Sequence, residues 1–204
     1  MANKATTVGL DGDDDAMDAG GSGATSAKLW LMVGLPGAGK TTRARELAAS
    51  HGALRLTPDE WHLDLFGTSL RADGKRDILE AWMITVALRT LRLGTSVILD
   101  FGLWGRDERS ALRWLAAEFG ASCEVIYLAV DLELQLDRIA DREASAPGEY
   151  FAMPQADVVA WRVQFQEPDA AELAGGDNPV PPTGSPTWLA WAVERWPGLT
   201  VDYS

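Results

Sequence analysis

Residues 29–42 have the sequence Leu29-Trp30-Leu31-Met32-Val33-Gly34-Leu35-Pro36-Gly37-Ala38-Gly39-Lys40-Thr41-Thr42. The first five residues are apolar without a break, as is typical of a short strand buried on both faces of a parallel sheet. The glycines that follow indicate a tight turn, after which a helix is predicted to begin. Strand, turn and helix fit the pattern Gly-x-x-x-x-Gly-Lys-Thr, which predicts a phosphate-binding loop.

The residue types of this loop suit the binding of ATP and Mg²⁺. Glycines let the backbone approach a phosphate closely, and the start of the following helix adds a positive dipole end. We expect Lys40 to reach the β- and γ-phosphates, the hydroxyl of Thr41 to ligate Mg²⁺, and Thr42 to add a phosphate contact. The residues predicted to bind the nucleotide are Gly34, Leu35, Pro36, Gly37, Ala38, Gly39, Lys40, Thr41 and Thr42.

Beyond the loop, apolar strand patterns alternate with helix patterns. Further strands are predicted at 53–56, 96–99, 124–130 and 199–203, and helices at 40–50, 75–93, 107–119, 155–165 and 188–196, with one more after Asp131. Such alternation is typical of a parallel sheet covered by helices on both faces. We therefore predict an α/β fold, a P-loop NTPase three-layer sandwich with about five mainly parallel strands.

Composition and charge exclude several classes of protein. The chain of 204 residues has a net charge of -12, which disfavours a general binder of nucleic acid or of anionic membranes. Its single cysteine, Cys123, rules out an intramolecular disulfide. The longest apolar run, 125–130, is far too short to cross a bilayer, and no apolar signal core stands at the N-terminus. We therefore expect a cytoplasmic protein; the sequence does not identify a protein partner.

The motifs that accompany the phosphate loop favour a kinase. No Asn-Lys-x-Asp motif for guanine recognition is present, which disfavours a GTPase. The third strand ends Leu99-Asp100-Phe101 without an adjacent Glu, which disfavours a hydrolytic AAA+ machine. A small-molecule or nucleoside-type kinase suits the size of the chain, and its acceptor would be a compound that bears a hydroxyl group.

Two aspartates are candidates for the acceptor side of such a site. Asp59 and Asp100 end the second and third predicted strands, and parallel strand ends meet at one edge of a sheet. Asp59 could take the proton of the acceptor hydroxyl, or it could merely cap a helix. Asp100 could hold Mg²⁺ through water, position the acceptor, or form a local turn. The sequence leaves open which aspartate is the base and which is linked to the metal.

Two groups of arginines could neutralise phosphate charge. Arg138 and Arg142 are four residues apart, so they share a helix face that could act as a lid over the nucleotide, unless they pair with neighbouring acids. Arg106, Arg109 and Arg113 form a second row after Asp100. Arg109 is the best candidate of the three to grip the acceptor, and a solvated helix face is the alternative.

Nine tryptophans are high for this length. Trp61 and Trp104 follow the two aspartates closely and could line the acceptor pocket, since a flat ring binds a sugar or another ring; simple packing is the alternative. Six others are expected to be structural: Trp30, Trp82 and Trp114 in the core, and Trp188, Trp191 and Trp196 fixing the C-terminal segment to the domain.

Four segments together resemble the bacterial ATP-binding proteins grouped with zeta-toxin and polynucleotide-kinase type P-loop kinases. They are Gly34 to Thr42, Arg55-Leu-Thr-Pro-Asp-Glu-Trp61, Val97 to Arg109, and Leu136-Asp-Arg-Ile-Ala-Asp-Arg142. The resemblance covers residues 28–174 and implies ATP-dependent phosphorylation of a hydroxyl, with Asp59 as base and Arg138 as lid residue. An ATP-binding protein without phosphotransfer, and a toxin-like kinase acting on a nucleotide sugar, are the alternatives.

Composition and the resemblance divide the chain into three parts. Residues 1–27 are acidic and rich in Gly and Ser, so a disordered tail is expected. Residues 28–174 are predicted to form the kinase-like domain. Residues 175–204 are predicted to be a Pro-rich loop and a Trp-rich segment that packs on this domain.

Overall fold

A computed structural model of the chain describes residues 26–66, 74–145 and 153–202. The strands are β1 (Lys28–Val33), β2 (Leu54–Leu56), β3 (Val97–Gly102) and β4 (Ser122–Tyr127). The helices are α1 (Lys40–His51), α2 (Pro58–Phe66), α3 (Lys75–Arg92), α4 (Arg106–Glu118), α5 (Leu132–Ser145), α6 (Gln155–Gln164), α7 (Ala170–Leu173) and α8 (Trp188–Arg195). Residues 1–25, nearly all of the predicted acidic tail, lie outside the described residues.

The four strands form a parallel sheet in the order β2-β3-β1-β4. The central strand β1 pairs Leu31 with Leu99 of β3 on one side and with Val125 of β4 on the other. Because parallel strands end at one edge, β1 and β3 deliver the phosphate loop and Asp100 to the same side of the molecule.

Side chains of β1 alternate between two cores, one on each face of the sheet. Leu29 and Leu31 pack in the larger core, which α3, α4 and α8 cover. Trp30 and Met32 pack in the smaller core against α1. The unbroken apolar run of the sequence is therefore explained by burial on both faces. The predicted α/β three-layer architecture is confirmed.

Within the described residues the sheet has four strands, and the predicted fifth strand at 199–203 is wrong where the structure covers it. Residues 199–202 have no strand conformation. The backbone N–H of Thr200 donates to Oγ1 of Thr85 at 3.2 Å, and Arg92 donates to the carbonyl of Asp202 at 2.6 Å. Since both partners belong to α3, this segment lies along a helix instead of a sheet edge.

The tryptophans divide less simply than expected. Trp30, Trp188 and Trp196 are buried, and Trp114 packs partly buried against the larger core. The prediction that Trp82 belongs to the core is wrong, because its side chain is 56% exposed on α3. Its helix presents other residues to the sheet, among them Ala81, Met83 and Ile84. No helix in the described part of the chain combines the length and the apolar character needed to cross a membrane.

Candidate active site

The phosphate loop, residues 34–42, depends on glycine for its shape. Gly37 and Gly39 have φ angles of 78° and 94°, values that favour glycine strongly. A Cβ on Gly34 would lie 2.7 Å from the carbonyl oxygen of Leu128, so no larger residue fits there without movement. The loop therefore turns tightly from β1 into α1, which begins at Lys40.

Side chains hold three successive carbonyl groups of this loop. Nζ of Lys40 donates to the carbonyl of Leu35 at 2.9 Å. Two residues of α5 act in the same way: Gln135 donates to the carbonyl of Pro36 at 2.9 Å, and Arg138 to that of Gly37 at 3.1 Å. Helix α5 thus lies directly on the phosphate loop, and the structure brings Lys40 and Arg138 together there.

Gln135 and Arg162 belong to this region although sequence reasoning missed both. Gln135 is fully buried, and Nη1 of Arg162 donates to its Oε1 at 2.7 Å and to the carbonyl of Val130 at 3.1 Å. The signal available was the spacing of Gln135 and Arg138, which places them on one face of α5. Arg142, one turn beyond Arg138, contacts Sδ of Met153 at 3.3 Å instead of the loop.

Asp100 is buried at the end of β3 and forms an ion pair with Arg55 of β2. Nε and Nη2 of Arg55 donate to its Oδ2 at 3.2 and 2.9 Å. Nη2 also donates to Glu60 at 3.0 Å. Partial burial raises the pKa of Glu60, but the hydrogen bonds and charges of Arg55 and Arg45 outweigh it, so the pKa lies below its ordinary value. Asp100 is therefore held in place by Arg55, a contact that the sequence analysis did not anticipate.

The residues at this edge suit Mg²⁺ when a nucleotide is bound. The hydroxyl of Thr41 and the carboxylate of Asp100 are oxygen donors, and Mg²⁺ is ordinarily held by one or two such groups together with substrate phosphates. Both bonds from Arg55 go to Oδ2 of Asp100. Among the described residues, no cluster of three or more His, Cys, Asp or Glu could hold a metal unaided. This donor set therefore fits a metal that nucleotide phosphates help to bind.

Asp59 lies in the first turn of α2 and its side chain is 59% exposed. Its Oδ1 accepts a hydrogen bond of 2.5 Å from Nη1 of Arg76 on α3. The alternative in which Asp59 caps the helix is wrong, because α2 already begins at Pro58. Arg76 also donates from Nη2 to the carbonyl of Phe101 at 3.4 Å, so it connects Asp59 to the end of β3.

Next to this pair lies a cavity of about 180 Å³, called here the charged cleft. Its walls come from α3, the end of β3, α4 and α8, and its lining residues are Arg76, Asp77, Glu80, Phe101, Leu103, Trp104, Glu108 and Arg195. Trp104, which was predicted to line the acceptor pocket, is one of the residues that line this cavity. Trp61, by contrast, lies exposed on α2 and does not line the charged cleft.

The backbone that follows β3 is strained where it borders the charged cleft. Leu103 has a φ angle of 42°, which is costly for a residue with a side chain. Gly102 before it has φ 93°, and a Cβ there would lie 3.4 Å from Nε1 of Trp104. This sharp turn is what directs Trp104 toward the cavity.

Arg109 does not bind an acceptor, and the prediction that it does is wrong. Its side chain is fully buried, and Nε and Nη2 donate to the two carboxylate oxygens of Glu172 at 2.5 and 3.1 Å. Nη1 donates to the carbonyls of Leu103 and Trp104 at 3.1 and 3.2 Å. Arg109 therefore holds the strained turn by its backbone carbonyls. Glu172, which is distant in sequence, neutralises the charge of Arg109.

One family model and several solved structures are similar to this chain. The sequence model of the family described as an AAA domain matches residues 29–168. A search of curated proteins found no match.

Solved structures of the same fold include proteins with different described roles. A candidate kinase from Chloroflexus aurantiacus J-10-fl is 22% identical with a TM-score of 0.56, over 79% of this chain and 86% of that one. Kti12 of Chaetomium thermophilum, solved with ADP-AlF3, is 18% identical with a TM-score of 0.56, over 85% and 100%. A chain of the Pnkp1/Rnl/Hen1 RNA repair complex is 21% identical with a TM-score of 0.59, over 68% and 43%. This chain thus spans less than half of the RNA repair chain, and at these identities the likeness shows a shared fold.

Proposed function

This chain belongs to the AAA domain family, and from that premise we propose that it is a kinase that transfers the γ-phosphoryl group of ATP to a hydroxyl of a small acceptor. The observation that carries the proposal is the adjacency of the phosphate loop and the charged cleft. The backbone N–H of Gly34 donates to the carbonyl of Gly102 at 3.2 Å, so the start of the loop and the turn that borders the cleft are directly joined. Donor and acceptor would therefore meet at one edge of the sheet.

The phosphate loop supplies the donor half of this proposal. Lys40 and the N-terminus of α1 attract the phosphates of ATP, and Arg138 stands above the loop on an exposed helix face. Thr41 and Asp100 would hold Mg²⁺ with the help of the phosphates of ATP. When bound, that ion neutralises phosphate charge and favours departure of ADP.

The transfer itself needs a base and a cation beside the acceptor. The acceptor oxygen forms a bond to the γ-phosphorus while the bond from that phosphorus to the β–γ bridging oxygen breaks, which releases ADP. The hydroxyl proton passes to the carboxylate of Asp59. Arg138 leaves the carbonyl of Gly37 and stabilises negative charge on the transferred group.

The size and charge of the cleft favour one class of acceptor. Its volume of about 180 Å³ is below the roughly 300–1,000 Å³ of sites for drug-sized ligands. Three carboxylates and two guanidinium groups line it, so a polyanion such as a nucleic acid end is disfavoured. Trp104 offers a flat face for a sugar or another ring. A compact hydroxylated molecule without phosphate groups fits these walls best.

One contact favours the alternative of a nucleotide-binding protein without phosphotransfer. Asp59 is already paired with Arg76 at 2.5 Å, and a cation so close makes a carboxylate a weaker base. The two functions differ in their product, because only a kinase yields a phosphorylated compound.

The decisive experiment is a screen of extracted metabolites for ATP-dependent phosphorylation, followed by mass spectrometry. Incubation with the purified protein and Mg²⁺-ATP is expected to yield a phosphorylated small molecule that is absent when Lys40→Ala is used. Consumption of no metabolite, combined with tight ATP binding, would favour the binding protein instead.

A further inference from the structure

We infer that the C-terminal helix α8 and the residue after it position Asp59 through a chain of polar contacts that begins in the core, with Trp196 as the positioning residue. The inference rests on the proposed function, since it assigns a role around the proposed base. It adds a contribution from residues 188–196, which lie beyond residues 29–168 that the AAA domain model matches.

The chain of contacts begins at a fully buried tryptophan. Trp196 has no exposed surface, and its indole Nε1 donates to Oε2 of Glu80 at 3.1 Å. Arg195 lies 4.0 Å from the same oxygen through Nη2. Arg195 is itself fixed by Asp77 at 2.8 Å and by Glu108 at 2.7 Å. Trp196 and Arg195, which are adjacent in the C-terminal segment, thus both contact the carboxylate of Glu80.

The second contact joins Glu80 to the base. Oε1 of Glu80 accepts a hydrogen bond of 2.9 Å from Nε of Arg76. The same guanidinium then donates to Asp59 and to the carbonyl of Phe101. The side chain of Arg76 is 11% exposed and that of Asp59 is 59% exposed. A mostly buried guanidinium group therefore binds an exposed carboxylate. The orientation of Asp59 therefore depends on where Glu80 holds Arg76.

The third step concerns the charge of Glu80, which must be ionised to hold Arg76 firmly. Burial, the largest cause, leaves the pKa of Glu80 above its ordinary value; Arg76 opposes this shift, Glu108 adds to it, and Arg195 and the hydrogen bond from Trp196 oppose it. Removing the Trp196 donor leaves a buried carboxylate oxygen short of a partner, which favours the neutral acid. A neutral Glu80 loses the ion pair with Arg76, and Asp59 then loses its fixed orientation.

The chain offers a matched pair of substitutions for the test. Trp196→Phe removes the indole donor to Glu80. Trp188→Phe removes a similar donor at the first residue of α8, since the buried Trp188 donates to the carbonyl of Pro179 at 2.9 Å. Both variants keep an aromatic ring and lose one indole hydrogen bond, which is buried for Trp196 and partly buried for Trp188. Glu80→Gln, which keeps the shape of the side chain, serves as a second variant on the inferred chain.

NMR of the full chain without ligand reports the contacts directly. The Nε–H signal of Arg76 and the carboxyl carbon signal of Asp59 are expected to shift in Trp196→Phe and in Glu80→Gln, and to stay in place in Trp188→Phe. Signals that stay unchanged in Glu80→Gln, or that shift equally in Trp188→Phe, would overturn the inference. Glu80→Gln decides the matter if Trp196→Phe does not fold.

Turnover separates this inference from the proposed function. The probe is Mg²⁺-ATP with water as acceptor, followed by release of ADP. Trp196→Phe is expected to lower turnover about 10- to 100-fold with unchanged ATP affinity, because a small misplacement of a reacting group costs about that much. If Asp59→Asn leaves turnover unchanged, the proposed base is wrong even where the NMR signals support the chain of contacts. If Asp59→Asn lowers turnover and Trp196→Phe behaves like Trp188→Phe, the proposed base stands and the positioning role falls.

Discussion

The phosphate loop and the charged cleft adjoin each other, yet they are built in opposite ways. The loop takes its shape from glycines and from a lysine that bonds back five residues, to Leu35. The cleft takes its shape from hydrogen bonds and ion pairs between side chains far apart in sequence, such as the hydrogen bond from Trp196 to Glu80 and the ion pair of Arg109 with Glu172. A local pattern can encode the first, whereas only the folded chain assembles the second. In the proposed kinase, residues close in sequence would therefore form the ATP site, and residues far apart in sequence would form the acceptor site.

The largest expected effect tests whether the cleft side carries the chemistry. Asp59→Asn keeps the shape of the side chain but removes the proton acceptor, so turnover with the acceptor found by the screen should fall about 10²- to 10⁴-fold. ATP affinity, measured by calorimetry, should barely change, because the loop provides it. A variant with normal turnover would reject Asp59 as base and direct attention to Asp100.

The next largest effect concerns the fold of the cleft wall. Arg109→Leu leaves Glu172 as an unpaired buried carboxylate, so the free energy of unfolding should fall by about 3–5 kcal/mol in urea titrations. The double variant Arg109→Leu with Glu172→Leu removes both charges and should recover much of that loss. Equal stability of the single variant and the wild type would contradict the structural role given to this pair.

Lys40→Ala tests whether the phosphate loop binds ATP. The substitution removes a charged donor to phosphate, worth about 1.5–3 kcal/mol, so the Kd for Mg²⁺-ATP should rise about 10- to 100-fold. Calorimetry measures this change, and the melting temperature without nucleotide serves as the control for folding. Equal affinity of the two proteins would show that these residues do not form a nucleotide site.

The smallest expected effect is on stability and concerns Glu60. Arg55 donates to both Glu60 and Asp100, so Glu60 contributes to the contacts that hold Asp100. Its pKa is lower in the folded chain than the ordinary value of 4.5, so its ion pairs stabilise the fold above that pH and the contribution is lost as the pH falls through the lower, folded value. Because Glu60 is half exposed, the whole effect should be about 0.2–1 kcal/mol. Urea titrations of the wild type and Glu60→Gln should differ at about pH 6, and the difference should shrink as the pH falls below the folded-state pKa of Glu60. A difference that grows toward low pH would contradict the assignment.

The sequence predicts the features that residues close in sequence form, and it misses those that depend on residues far apart. The apolar run of β1 and the glycine spacing predicted the strand, the loop and the parallel α/β architecture, because these depend on neighbouring residues. Arg109 was misjudged because its partner Glu172 lies 63 residues away. Arg76 went unnoticed for a similar reason, since its pairing with Asp59 depends on how α2 and α3 pack. Trp82 shows the limit of composition, because a large apolar residue on a helix faces the core only if the helix is turned that way.

The position of β1 in the sheet also governs the order in which the protein can assemble on the ribosome. This central strand is made first, but both strands that flank it come later, and the last of them ends at Tyr127. Until β3 is complete at Gly102, β1 lacks both neighbouring strands, and until β4 is complete it lacks one; an unpaired strand edge of this kind associates readily with others. Slow synthesis would therefore lengthen the time during which the nascent chain needs a chaperone, and a transcript truncated before β4 would yield an aggregating product instead of a smaller nucleotide-binding unit.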